Sequence, residues 1–301
     1  MLKQLRKQKF INLIVRNVFK LNRKALENLN TLFVNHWRLS GVINLCINNI
    51  FFKMVSECDD PIVDEVYYQN IDEKFEYELF SSLALKGIVI FDIGANTGVY
   101  SLISARANPK NKIFAFEPYK PNFERFKLNL KVNGIQNVEA INNAVGAETG
   151  ILNLTVPIDG RLSTVSSLNG NFTRGFHQNE ITYSEIPVEI TMLNNWVQSL
   201  KKVDLVKIDV ETFEMEVFKG GLIFFEKFKP LIFCEIFVDE ERITFFNSFI
   251  KKFDYKIYSI LPEGLLKLEK LEKTIQRNFL FSQIDSQEKF IDKASAAKIF
   301  I

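Results

Sequence analysis

A Rossmann-like α/β sheet, seven strands wide and preceded by a helical N-terminal extension, is the fold class predicted by three observations. From Gly87 onward, short apolar runs alternate with stretches of helical periodicity. The first run ends in Asp92, then passes through a glycine-bounded turn, Gly94–Gly98, into an apolar-periodic stretch reaching Ala107. Three later runs also end at an acid: Glu117, Asp209 and Glu235. Such alternation implies a parallel sheet with helices on both faces.

Residues 1–80 read as mostly helical, with apolar periodicity through Ile50; Pro61 and the Asp59-Asp60 pair mark a loop. Strands are expected at 88–93, 112–117, 137–142, 203–209, 231–237, 254–260 and 278–283. Helices are expected at 97–107, 119–133, 212–226 and 239–252. The last strand follows the sixth after a polar turn region, so it can insert antiparallel and close the sheet. The rhythm breaks between Asn143 and Asp204. There, 151–156 and 184–191 alternate like strands, 193–200 reads helical, and 157–183 is polar and rich in Ser, Asn and Gly. A long irregular segment in a compact domain is usually functional or disordered; this one is the expected substrate cover. The organisation is then an extension over 1–80, an α/β domain over 81–285 and a tail over 286–301.

Composition bounds the partners. The net charge of +2 points to neither a nucleic-acid nor an acidic partner, and the 47% apolar content fits a globular chain. Cys46, Cys58 and Cys234 form no metal-ligand or disulfide pattern, so a cytoplasmic location is expected. No apolar run is long enough for a membrane span. The first 26 residues carry eight Lys or Arg and no acid, with Phe10, Ile14, Val18, Leu21 and Ala25 at helical spacing. Arg16 interrupts any secretory signal. This stretch reads as a helix packed on the domain; peripheral contact of residues 1–26 with an anionic membrane is the alternative.

The turn after the first strand carries the chemistry. In open α/β sheets ligands bind outside the carboxyl ends of the strands. Glycines there let the backbone approach a ligand where no side chain fits. Asp92, Gly94, Ala95, Asn96, Gly98 and Tyr100 are the candidate cofactor loop. Glu117, ending the next strand, can accept hydrogen bonds from both ribose hydroxyls of an adenosine. The dinucleotide fingerprint G-x-G-x-x-G aims its helix at a pyrophosphate. Here Gly94-Ala-Asn-Thr-Gly98 follows an acid, which suits the cationic amino end of S-adenosylmethionine and repels a pyrophosphate. The methyl donor is therefore preferred as cofactor.

A second constellation is Leu205-Val-Lys-Ile-Asp-Val-Glu-Thr-Phe-Glu-Met-Glu216. Asp209 ends its strand at the same sheet edge as Asp92, Glu117 and Glu235. A carboxylate there can take the proton from a substrate hydroxyl. Asp209 and Glu211 are the catalytic candidates; two or three such acids can alternatively hold a hard divalent cation, but no metal is assigned. Glu214 and Glu216 suit the first turn of a helix. His177, in the cover, is the rival base, and His36 reads as structural or surface.

With both constellations read, the chain resembles the FkbM family of S-adenosylmethionine-dependent methyltransferases over about 75–283. Phe91–Ser101 looks like its first motif, Phe116-Glu-Pro118 its second and Asn143-Ala-Val-Gly146 its third. Val206–Glu211 with Phe213-Glu214 is similar to the fourth; Lys219-Gly220, the Pro230–Ile236 strand and Asn278–Phe281 complete the order. The resemblance implies a class I methyltransferase sheet. It also implies O-methylation of a sugar, glycan or polyketide-type hydroxyl, with Asn143 and Ala144 at the adenine edge and Asp209 beside the cofactor. Family members usually carry glycine where this chain has Thr212; a helix at that point would tolerate threonine. Two rival classes are a non-catalytic cofactor-binding module and a nucleic-acid methyltransferase. The latter normally shows basic patches near the site, whereas the basic residues here cluster at the N-terminus.

Overall fold

A computed structural model describes residues 38–68, 74–157, 168 and 182–283, and the backbone of 298–300. His36, the basic stretch 1–26, His177 and nearly all of the 157–183 cover lie outside these residues.

The chain enters as a β-hairpin, β1 (Ser40–Ile47) and β2 (Ile50–Glu57), where the periodicity predicts helix. Apolar residues at 39, 43, 46–47 and 50 satisfy a helical spacing as well as a strand one. The Asn48-Asn49 turn decides, because both residues adopt positive φ (48° and 62°). That conformation joins two strands whose twist matches the turn, and asparagine tolerates it. The hairpin buries Ile43, Leu45 and Ile47 with Phe52 and Met54, and leaves Val42 and Phe51 outward. Helices α1 (Pro61–Tyr68) and α2 (Lys74–Leu83) follow.

Next come β3 (Val89–Ile93), α3 (Val99–Ala107), β4 (Lys112–Phe116), α4 (Lys120–Asn133), β5 (Val138–Ile141), β6 (Ala144–Val145), β7 (Gly150–Pro157) and β8 (Tyr183–Thr191). Then follow β9 (Leu205–Ile208), α5 (Glu214–Lys219), α6 (Leu222–Phe228), β10 (Leu231–Glu235), α7 (Glu240–Phe253), β11 (Lys256–Leu261), β12 (Gly264–Leu268), β13 (Asn278–Ser282) and β14 (Lys298–Phe300). Residues 193–200 form a short 3-10 turn, Leu193–Trp196, rather than an α-helix. The expected helix 212–226 is two helices, parted at Gly220-Gly221, where a Cβ on Gly220 would lie 1.9 Å from the Gly146 carbonyl oxygen.

The main sheet has nine strands in the order β14-β12-β11-β13-β10-β9-β3-β4-β5. All seven expected strands are present, and β13 does insert antiparallel between β10 and β11. The expected count of seven is corrected by β12 and β14. The strand β12 turns back tightly on β11, and its short Leu265–Leu268 run is masked in the sequence by the charges that follow it. The strands β6, β8 and β7 form a separate small sheet.

The two faces of the sheet bury different side chains. One packs Ile90, Leu102, Ile103 and Phe126 with Phe80 and Met54 of the N-terminal elements. The other is aromatic: Phe91 meets Phe116, Trp196 and Phe224, while Phe218 meets Phe225, Phe246 and Phe249. Edge-to-face rings at such spacings add to area burial. The hairpin is tied to this body through α4. Val55 and Lys53 N–H groups donate to Asn129 and Asn133 Oδ1 at 2.8 Å, and Arg125 donates to the Val55 carbonyl and to Asp59. Residues 38–57 therefore belong to the core of the α/β unit. No helix among the described residues is long and apolar enough to cross a membrane.

Candidate active site

Strand register gathers the candidate residues into one row. Ile93 of β3 pairs with Phe116 of β4 and Ile208 of β9, Phe116 pairs with Ile141, and Ile208 pairs with Cys234. The next residue along each strand is Asn142, Glu117, Gly94, Asp209 and Glu235, a continuous line along the carboxyl edge. Parallel pairing produces this line because each strand leaves the sheet at the same height.

Backbone bonds fix the Gly94–Gly98 turn. Gly94 and Ala95 N–H both donate to the Phe116 carbonyl, at 3.0 and 2.9 Å, and Asn96 N–H donates to Glu117 Oε2 at 2.9 Å. Gly94, Asn96 and Gly98 have φ of 81°, 52° and 96°. A Cβ on Gly94 would meet the Asp209 carbonyl oxygen at 1.8 Å, and one on Gly98 would meet the Phe126 ring at 2.0 Å. Close approach of the protein's own β9 exit and α4 therefore demands these glycines on its own account, beside the close approach of a ligand that the sequence suggests.

The expected cofactor residues divide by depth. Asp92, Ala95 and Tyr100 are buried behind the loop. Asp92 accepts a 2.6 Å bond from Ser101 Oγ; burial pushes its carboxyl up, opposed by the Lys207 charge. Glu117 is buried too. Its Oε1 accepts from Tyr119 N–H at 2.8 Å, and burial pushes its carboxyl up to about 7 despite the two backbone donors. Asn143 is half-buried and donates to Glu189 at 3.3 Å; Ala144 is buried at the start of β6.

Asp209 is half-buried, with Oδ2 2.8 Å from Lys207 Nζ. Glu211 and Thr212 do not open a helix: both have positive φ, 52° and 75°, and α5 begins only at Glu214. Burial raises the Glu211 carboxyl, and the Asp209 and Glu214 charges raise it further. Glu214 is fully buried and accepts from Thr212 N–H at 2.8 Å; burial pushes it up to about 7. Glu216 pairs with Lys219 at 2.6 Å on the helix surface, the structural role expected of it. Among the described residues no group of three or more His, Cys, Asp or Glu is arranged to hold a metal ion.

Three participants were not legible as such. Lys207 interrupts an apolar strand and pairs in register with Asp92. Arg242 donates to the Thr212 carbonyl at 2.8 Å and to Asp239, the N-cap of α7, clamping the Glu211-Thr212 turn. Asn142 caps the Glu117 and Pro118 carbonyls at 2.8 and 3.0 Å. Only Lys207 carried a signal, an ammonium within a buried run.

Strand order β5-β4-β3-β9-β10-β13-β11, with a glycine turn flanked by acids on the two neighbouring strands, defines a methyltransferase of the Rossmann-like class. The FkbM methyltransferase domain matches residues 92–261, more than half of the chain, and the chain belongs to that family. It is 30% identical over 142 residues to "Methyltransferase 1" of Beauveria bassiana, a match covering 44% of this chain and 57% of that one. It is 29% identical over 161 residues to "Methyltransferase sdnD" of Sordaria araneosa, covering 44% and 59%. The chain thus spans rather more than half the length of these curated relatives. Among solved structures, the methyltransferase FkbM of Methylobacillus flagellatus aligns over 74% of this chain and 55% of its own, with 14% identity and TM-score 0.43. A SAM-dependent O-methyltransferase of Thermotoga maritima aligns over 78% and 74%, with 11% identity and TM-score 0.39.

Proposed function

We propose that this methyltransferase uses S-adenosylmethionine to methylate a hydroxyl of a sugar, glycan or polyketide-type natural product. The observation that carries the reading is the row Glu117–Gly94–Asp209, which sets a carboxylate on each side of the glycine turn. When bound, the donor supplies an electrophilic methyl group on a cationic sulfur. The residues fit it: a cationic sulfonium bound beside the half-buried Asp209 would draw the neighbouring buried carboxyls of Asp92, Glu117 and Glu211 toward their ionised forms, and Glu117 has the acceptor atoms for two ribose hydroxyls. The turn 94–98 with Asp92 and Tyr100 behind it forms the methionine side, and Asn143 with Ala144 the adenine edge.

Asp209 orients the acceptor hydroxyl and takes its proton as the oxygen–carbon bond forms and the sulfur–carbon bond breaks. Glu211 is its neighbour. Holding both reactants in line supplies much of the rate. The surrounding acids favour a neutral acceptor over a phosphate-rich one, which weighs against nucleic acid.

The test is methyl transfer from labelled S-adenosylmethionine to a panel of monosaccharides, oligosaccharides and hydroxylated polyketides. Asp209→Asn should lower turnover by about 100-fold or more while cofactor affinity changes far less. Near-normal turnover in Asp209→Asn, with collapse in His177→Ala, would move the base to the cover segment.

A further inference from the structure

We propose that Lys207 is a positioning residue, whose ammonium holds the Asp209 carboxylate by Oδ2 and so presents Oδ1 to the acceptor. The inference rests on the assignment of Asp209 above. Lys207 is 4% exposed, unusual for a lysine, which normally keeps its charge in water. Its burial is compensated on three sides. Asp209 Oδ2 lies 2.8 Å from Nζ. The Tyr100 ring centroid lies 4.4 Å from Nζ, within cation–π range. Asp92 is its register partner on β3, and the two charges interact.

These contacts come from rigid elements. Lys207 sits inside β9, and its neighbours on either side, Val206 and Ile208, are fully buried on the opposite face. Tyr100 lies on α3 against Tyr77 and Phe80 at 4.8 and 4.9 Å, so the ring has no room to turn away. Asp209, by contrast, stands where β9 ends and the left-handed Glu211-Thr212 turn begins. A carboxylate at such an exit has rotational freedom, and a reacting group held loosely loses much of its effect. A bond to an immobile ammonium removes that freedom. It explains why an otherwise apolar strand carries a lysine two residues before the acid, on the same face as Asp92.

The test is a double-variant cycle with S-adenosylmethionine and the best hydroxyl acceptor from the panel. Lys207→Met should lower kcat by about 30-fold or more, with S-adenosylhomocysteine affinity, read by calorimetry, changed less than about threefold. Lys207→Arg, which keeps the cation, should recover most of that loss. In an Asp209→Asn background, Lys207→Met should add less than about threefold, because both changes remove the same oriented carboxylate. If instead the two losses multiply while Asp209→Asn is impaired, Lys207 does not act through Asp209 and the inference is overturned. If Asp209→Asn is itself unimpaired, the base assignment fails and takes the inference with it. Should Lys207→Met fail to fold, Lys207→Leu, which likewise removes the cation and every donor, replaces it in the same cycle with the same criteria.

Discussion

Replacing Thr212 by glycine should stabilise the protein. Thr212 sits at φ 75°, a conformation that costs a non-glycine residue about 1–2 kcal/mol. Its Oγ1 is buried with no hydrogen-bond partner among the described residues, a further penalty of about 1–3 kcal/mol. Glycine removes both. Against this, it gives up two buried carbons, at about 0.8 kcal/mol each. It also concedes about 0.5–1 kcal/mol of backbone entropy in the unfolded chain. The balance favours Thr212→Gly by about 1 kcal/mol, or about 2 °C in Tm for a chain of this size. The turn itself should persist, because the Arg242 bond to the 212 carbonyl and the Glu214 bond to the 212 N–H involve backbone atoms only at that residue. Urea unfolding at neutral pH reads the effect as a raised midpoint at unchanged slope. Thr212→Ala, which removes the hydroxyl and one buried carbon but keeps a Cβ at positive φ, should raise the midpoint by a similar amount on the same figures. A lower midpoint for Thr212→Gly would refute the reasoning, and would mean that the threonine packing outweighs the strain.

Three other outcomes follow from the site and its supports. Glu117→Gln sets an amide donor against the backbone N–H groups of Asn96 or Tyr119, and should weaken S-adenosylhomocysteine binding by about tenfold or more; unchanged affinity by calorimetry would remove Glu117 from the cofactor site. Burial raises the carboxyls of Asp60 to about 6 and of Asp64, Glu117 and Glu214 to about 7. Between their ordinary values and pH 7 the folded state then holds more protons than the unfolded one. Stability should therefore fall as pH rises through that window, by up to about 1.4 kcal/mol per pH unit for each proton retained; a urea midpoint rising from pH 5 to pH 7 would contradict it. Asn129 joins the half-buried Val55 N–H to the buried Thr97 carbonyl at 2.8 Å each, so Asn129→Ala leaves both backbone groups without that partner and should cost about 2 kcal/mol in urea unfolding.

The sequence by itself determined the alternating αβ body and the row of acids on its carboxyl edge. Strand runs such as Ile113–Phe116 are apolar enough to be unambiguous, and Glu117, Asp209 and Glu235 mark where their strands end, with Asp92 one residue inside the end of β3. Parallel pairing then brings those ends together without further information. The antiparallel insertion of β13 was legible for the same reason, since a seventh apolar run remained after a polar turn. Other features were decided only by tertiary structure. The hairpin at 40–57 satisfies two periodicities, and the choice was made by the Asn48-Asn49 turn and by the side chains of α4 that satisfy its edge. Thr212 looks acceptable in a helix, but the Arg242 clamp, thirty residues away in sequence, puts it in a left-handed turn. Lys207 reads as an isolated charge in a strand; its pairing with Asp209 and its seat over Tyr100 exist only once α3 packs on the sheet. Gly94 and Gly98 mark a turn in the sequence, but the contacts of that turn with the Asp209 carbonyl and the Phe126 ring exist only in the folded chain. Local pattern reports which backbone a segment can adopt, whereas the partners that fix charge and conformation come from segments distant in the chain.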